Sequence, residues 1–398
     1  MRVLLLTQYF TPEVTAASAR LHSFAAGLAA RGHDVEVVCE VPSHPRGVVY
    51  EGHGGRAVAR ERLDGFRVTR VWTWARPSKR ARHRLASYAS YAALATAAAS
   101  VRRRPDVVIA SSPPLSVGAA GLLVAKRFRV PFALDVRDLW PQIAVALDEL
   151  RPGRVLRAAE RLERRLYASA ALVTTPTEPF REEIASRSPD PTRAVVVANG
   201  TTAEWLAAGE AEVPPLDDEA FVWTYAGNVG LSQDLGTAID AAGLLGPGFA
   251  LRIIGDGARR TALEERAAAL PAGRVRFDGL VEPAEAARLL RGSDALLVSL
   301  ADSPELERSV PVKLYDYCAI GRPVIAATRG EARRIAAREG VAMGVDPGDA
   351  EGLAAAVREL RDDSDRRDEL TAAGRRFAAA HLRERGVERL EALLRGIA

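Results

Sequence analysis

Lys313 and Asp316 stand three residues apart in the stretch Ser309-Val310-Pro311-Val312-Lys313-Leu314-Tyr315-Asp316-Tyr317-Cys318-Ala319-Ile320-Gly321. On a helix that spacing puts both side chains on one face. A helix N-terminus with a lysine beside it attracts phosphate. A carboxylate one turn further in can accept hydrogen bonds from a ribose diol. Together they form half of a nucleotide-diphosphate site, although the same spacing also serves a plain surface pair of charges. Two glycine loops precede this stretch, Ala226-Gly227-Asn228-Val229-Gly230 and Gly255-Asp256-Gly257. Each lets backbone N–H groups approach an anion, and each alone also fits an ordinary tight turn.

The elements that must position these residues are legible around them. Pro311 suits a first helical position, Gly321 the residue after the helix, and Pro323 blocks continuation. Residues 324–327 are then an apolar strand. In the first half, strands are expected at 3–7, 34–39, 66–71, 106–110, 132–136, 171–175 and 194–197. An amphipathic helix over 17–31 carries Leu21, Phe24, Ala25 and Leu28 on one stripe and stops at Gly32. The second half repeats the scheme, with strands at 221–225, 250–254, 275–278, 295–299, 324–327 and 343–345. Such alternation predicts an α/β protein of two Rossmann-like, doubly wound parallel-sheet domains. Their ligand crevices lie at the strands' carboxyl ends, so the two domains are expected to face each other across a cleft. The expected division is 1–200 and 201–380, with a final helix over 381–398 crossing back to the first. The polar, proline-bearing stretch 211–219 is the linker candidate.

Composition narrows the function. The 398 residues are too many for one ordinary core, and 48% hydrophobic with 27% charged residues is a soluble globular profile. A net charge of only +4 gives nucleic acid no global footprint. Cys39 and Cys318 form neither a disulfide framework nor a metal pattern and fit a reducing compartment. The opening residues 1–6 read as a strand rather than a leader, and no apolar run reaches the roughly 18 residues of a membrane span. Asp362, Asp363 and Asp365 match a metal-binding Asp-x-Asp spacing, but without a glycine-rich cradle they read as a solvated turn between helices. The six histidines do not cluster.

The ordered set Thr7-Gln8-Tyr9-Phe10-Thr11-Pro12-Glu13, Ser111-Ser112-Pro113-Pro114, Asp135-Val136-Arg137-Asp138-Leu139-Trp140-Pro141, Asn199-Gly200, the two glycine loops and the 309–326 stretch resembles the glycosyltransferases of family 4, with the GT-B fold. Within them the chain is most similar to transferases of O-antigen and colanic-acid type polysaccharide assembly. The resemblance implies a retaining transferase that moves a sugar from a nucleotide-diphosphate donor, expected to be UDP-linked, to a hydroxyl of a glycan, lipid-linked or small-molecule acceptor. Neither a cofactor nor a metal ion is expected.

The resemblance also assigns residues. It implies that Asp316 holds the ribose and that Lys313 and Gly230 meet the diphosphate. Gly227, Asn228, Gly255, Asp256, Gly257 and Leu314 complete the expected donor site. The family's first glutamate, one of a pair separated by seven residues, would fall at Arg308. Glu305 and Glu307 flank it as alternative contacts to the donor sugar. The loop Arg137-Asp138-Leu139-Trp140 stands where many relatives carry a histidine. Asp138 is there the candidate base or sugar ligand, or else the cap of the following helix. Thr11, Pro12, Glu13, Arg137 and Trp140 make up the expected acceptor side. The segment 71–84, with Trp72, Trp74 and its arginines, suits an anionic membrane surface, which points to a cytoplasmic protein peripheral at the inner face of the membrane. Two other readings stay open: a nucleotide-sugar epimerase of the same fold, which needs no acceptor, and a non-catalytic nucleotide-sugar-binding module.

Overall fold

The computed structural model describes residues 1–13, 15–44, 46–78, 81–146, 150–216 and 219–398. They fall into two units, Met1–Ala198 with Arg383–Ala398, and Asn199–Leu382. The polar stretch 211–219 is therefore not the crossing point. Leu216 donates its N–H to the Gly292 carbonyl at 3.0 Å and belongs to the second unit.

The first unit holds β1 (Arg2–Leu6), β2 (Asp34–Glu40), β3 (Val58–Leu63), β4 (Phe66–Val71), β5 (Val107–Ser112), β6 (Phe132–Val136), β7 (Leu172–Thr175) and β8 (Ala194–Val196). They pair in the order β3-β4-β2-β1-β5-β6-β7-β8. All neighbours are parallel except β3 with β4. The central strands are apolar and buried on both faces, as helices on each side of a parallel sheet require. β3 is absent from the sequence reading. Its run Val-Ala-Arg-Glu-Arg-Leu carries three consecutive charges and is mostly exposed, which suits an edge strand guarded against foreign pairing. The Asp64-Gly65 turn that links it to β4 takes φ of 44° and 85°, the left-handed pair of a tight hairpin.

The final helix, Arg383–Ile397, packs on the helix Ala16–Ala30 within this unit. His33 Nε2 lies 2.8 Å from Glu391, Arg31 lies 2.9 Å from Glu388, and a side chain added at Gly27 would meet Val387 at 2.8 Å.

The second unit holds β9 (Phe221–Ala226), β10 (Phe249–Ile254), β11 (Val275–Gly279), β12 (Ala295–Ser299), β13 (Val324–Ala327) and β14 (Ala342–Val345). Their order is β11-β10-β9-β12-β13-β14, all parallel. This is the doubly wound arrangement, in which the strand order reverses beside the first strand and opens a crevice at the carboxyl ends. The reversal lies between β9 and β12, so the loop after β9 borders it. Asp363, from the acidic turn, caps the helix Ser364–Ala380 by accepting from the Arg366 N–H at 2.8 Å. Among the described residues no group of His, Cys, Asp and Glu is arranged to hold a metal ion.

Candidate active site

At the end of β9 the chain must turn under a side chain that comes from elsewhere. Gly227 has φ of 139°, and a Cβ there would fall 2.5 Å from Lys313 Nζ. Gly255 (φ 127°) closes against the Gly227 backbone, and a Cβ at Gly257 would meet Asn228 Oδ1 at 2.8 Å. Three backbone hydrogen bonds lock the two glycine loops together. Gly227 donates to Ile254 at 2.8 Å, Val229 to Asp256 at 3.0 Å and Arg259 to Val229 at 3.0 Å. The glycines are there because two backbones and a lysine share one small volume.

The helix that carries Lys313 is Val312–Ile320. Pro311 is its flanking cap residue, one position before the expected first helical place, and no side chain caps the end. Gly321 ends it in the left-handed conformation, with φ of 68°. Tyr317 ties this helix to β9, because its hydroxyl accepts from the Ala226 N–H at 2.8 Å and donates to the Ala226 carbonyl at 3.0 Å. Lys313 Nζ sits 5.1 Å from the centre of the Tyr225 ring, whose hydroxyl donates to the Asn228 carbonyl at 2.7 Å. Burial among these groups brings the Lys313 ammonium down to about 8, with Asp316 holding it partly back up. Asp316 accepts from the Thr201 hydroxyl at 3.0 Å. Thr201 is itself fixed by donating its N–H to the His381 carbonyl at 3.0 Å.

Lys313, Asp316 and the Gly227 loop are thus brought together. Other expected donor residues have different duties. Leu314 is 0% exposed and packs in the core. Gly230 gives its N–H to Gln233 Oε1 at 3.1 Å, and Asn228 donates to the same oxygen at 3.3 Å. Asp256 folds back to accept from the Gly257 N–H at 2.8 Å. Of the candidates for the donor sugar, Glu305 accepts from the Ser303 hydroxyl at 2.7 Å. Glu307 lies on the short turn Leu306–Arg308, and its carboxylate has no hydrogen-bond partner among the described residues. Sequence reasoning missed Tyr225, Tyr317 and Thr201. The two tyrosines look like core residues in the sequence, and Thr201 signals itself only by following Asn199-Gly200.

In the first unit the sheet order reverses between β1 and β5. Glu13 is buried there, and its carboxylate accepts from the N–H groups of Ser43 and His44, each at 2.8 Å, and Phe10 at 3.1 Å. It braces two loops. Thr11 contributes its carbonyl to Arg70 at 2.7 Å, and Pro12 is exposed. Arg137 donates to the Ser111 hydroxyl at 2.8 Å and the Pro113 carbonyl at 2.5 Å. Trp140 packs against the core. Asp138 does not cap the helix Gln142–Ala146 and has no hydrogen-bond partner among the described residues. Burial pushes its carboxyl up, against the pull of the Arg137 guanidinium.

Beside this group lies a buried carboxyl that the sequence did not mark. Glu40 ends β2 and accepts from Gln8 at 2.8 Å. Burial first, then the Glu13 charge, pushes Glu40 up to about 8. Gln8 Oε1 is buried nearby with no hydrogen-bond partner among the described residues. Trp72 and Trp74, by contrast, are 43% and 44% exposed. Their rings meet edge to face at 6.4 Å, with Arg76 over Trp74 at 5.2 Å.

Two doubly wound sheets, each with charged groups gathered where its strand order reverses, are the architecture of a GT-B glycosyltransferase. Residues 15–200 match the glycosyl transferase 4-like domain and residues 220–363 the glycosyl transferases group 1 domain, and the chain belongs to the glycosyltransferases built from this pair. It is similar to WcaI of Escherichia coli, a protein named as a colanic acid biosynthesis glycosyl transferase. The two are 23% identical over 375 residues, 90% of this chain and 92% of WcaI. Among solved structures it resembles Anabaena HepE in complex with UDP and glucose (TM-score 0.71, 17% identity, 98% of both chains). It also resembles WaaG, a glycosyltransferase involved in lipopolysaccharide biosynthesis (TM-score 0.73, 15% identity, 98% of this chain and 99% of WaaG).

Proposed function

We propose that this enzyme transfers a sugar, with retention of anomeric configuration, from a UDP-linked donor to a hydroxyl of a lipid-linked or growing glycan in bacterial polysaccharide or lipopolysaccharide assembly. The carrying observation is the Lys313–Gly227–Asp316 cluster at the reversal point of the second sheet. The names of the relatives support the donor class and the pathway.

The second unit binds the donor. Departure of the nucleotide diphosphate builds negative charge, and Lys313 and the uncapped N-terminus of its helix meet it with fixed positive charge and dipoles. That stabilisation calls for no metal ion. Asp316, held by Thr201, takes the ribose diol, and Glu307 takes the sugar hydroxyls. The first unit binds the acceptor, where Asp138 orients or deprotonates the attacking hydroxyl and Glu13 acts only by fixing the loops around it. Trp72, Trp74 and the arginines near them bring the protein to an anionic membrane where lipid-linked acceptors reside. Each Lys or Arg close to such a surface contributes roughly 1 kcal/mol.

A panel of UDP-sugars incubated with and without a polyprenyl diphosphate-linked acceptor tests the reading. Acceptor-dependent UDP release is expected, and proton NMR of the product should give the donor's own anomeric configuration. An inverted linkage rules out retention, and a donor-only change of sugar identity rules out transfer. Flotation on neutral and anionic vesicles tests the membrane part, which fails if both bind the protein equally.

A further inference from the structure

A cavity of about 310 Å³ opens in the first unit beside β2, β3 and β4, on the side lined by Glu36, Arg60, Arg62, Arg67, Thr69 and Arg102. The strand register explains how three of the four arginines gather there. Arg62 stands directly opposite Arg67 in the β3–β4 hairpin, and Arg67 stands opposite Glu36 on β2. Arg60 stands opposite Thr69, two residues along on the same face. Arg102 enters from beyond the helix Ala81–Ser100, donating to the Thr69 hydroxyl at 2.8 Å and lying 3.0 Å from Glu36.

The acidic groups do not balance this charge. Glu36 is shared between Arg102 and Arg67, at 3.0 and 3.8 Å, and Glu61 turns to Arg70 at 2.7 Å. Arg67 also holds Asp34 at 2.7 Å. Arg60 and Arg62 have no acidic partner among the described residues. Like charges directly opposite on an antiparallel pair are destabilising. Charge that merely guards a sheet edge needs no such register, because any exposed position on β3 would serve. A bound anion turns the repulsion into attraction, and the guanidinium fork matches phosphate oxygens two at a time. The cavity is at the small end of the range for ligand sites, roughly 300–1,000 Å³. It lies toward the amino ends of β2 and β4, away from the Glu40 end.

We propose that this arginine-lined cavity binds a phosphate-bearing anion, a second anion site separate from the donor site.

The test uses the full-length chain with Lys313→Ala, which removes the main anion contact of the donor site, and compares it with the same protein also carrying Arg60→Ala and Arg62→Ala. Calorimetric titration with sodium pyrophosphate and co-sedimentation with phosphatidylcholine vesicles containing phosphatidic acid are the two arms. Lys313→Ala is expected to bind in at least one arm, and the added pair to weaken that binding by about ten- to a hundredfold. Discrimination in the pyrophosphate arm identifies a free phosphate group as sufficient, and discrimination with vesicles alone identifies a lipid headgroup. Arg62→Ala by itself should raise the melting temperature in anion-free buffer, a change that a misfolded variant would not give. Equal binding with and without the two arginines, or no binding in either arm, overturns the proposal.

Discussion

Lys313 lies directly over Gly227, so close that a single added carbon on the glycine would occupy the lysine's place. Gly227→Ala therefore combines a strained φ of 139° with displacement of the ammonium. The strain alone costs on the order of 1–3 kcal/mol. The variant is expected to fold with a lowered melting temperature and to lose at least about tenfold in kcat/KM. Full activity would mean that Lys313 does not act from this position.

Lys313 also predicts a pH dependence. With its ammonium at about 8, the free enzyme loses this charge as pH rises through that value. Donor affinity should be full below it and fall above it. Lys313→Arg, charged throughout, should flatten the profile, and Lys313→Ala should lower kcat more than it raises KM, because leaving-group charge peaks in the transition state. Donor titrations at about pH 6.5 and about pH 9.5 decide between these behaviours. A wild-type affinity that does not change over this range removes Lys313 from diphosphate binding.

Asp316 and Thr201 should share one phenotype. Asp316→Ala is expected to weaken donor binding about ten- to a hundredfold, the worth of a charge-assisted hydrogen bond, with kcat less affected. Thr201→Val frees the carboxylate from its 3.0 Å tether and should give a smaller loss in the same direction. Donor-binding isotherms on both variants and on the double variant measure the coupling. Strict additivity would show that Thr201 does not act through Asp316.

Glu305 and Glu307 are separable by their partners. Glu305 is engaged by Ser303, while Glu307 has no hydrogen-bond partner among the described residues. Glu307→Gln should lower kcat/KM by roughly tenfold or more, with Glu305→Gln near wild type. The reverse order would move the sugar contact to Glu305.

Glu40 should leave a signature in stability. Its folded value of about 8 lies above the ordinary 4.5, so between these limits the folded state binds more protons than the unfolded one. Stability contributed by this group is full at low pH, falls as pH rises through that window, and levels off beyond about 8. Glu40→Gln removes the effect. The melting temperature of the variant should gain on the wild type by several degrees between about pH 5 and about pH 8. Parallel melting curves would place the Glu40 proton elsewhere.

Much of this was legible in the chain because local signals and burial agree. The central strand runs 3–6, 295–298 and 324–327 are apolar throughout, and Gly321 and Asp363 end and begin helices where their chemistry demands. The Lys313–Asp316 face was readable from spacing. What stayed hidden depends on contacts far apart in sequence. Thr201 reaches Asp316 across more than a hundred residues, and Tyr317 reads as a core aromatic until its hydroxyl is found on Ala226. Glu40 looks like the polar end of a strand, and only packing reveals that it is sealed from water. β3 was missed because its charges mask the strand pattern, although the Asp64-Gly65 hairpin signal stood beside it.

The final helix sets the order in which the molecule can be finished during synthesis. Val387, Leu390 and Leu394 bury against the same core as Leu21 and Phe24 from the first helix. The ribosome delivers the helix Ala16–Ala30 first and its partner Arg383–Ile397 only after the whole second unit has emerged. Until then the nascent first unit keeps an apolar groove that the helix Arg383–Ile397 fills. A nascent chain arrested just short of Arg383 should therefore be a client for chaperones in a way that the released protein is not.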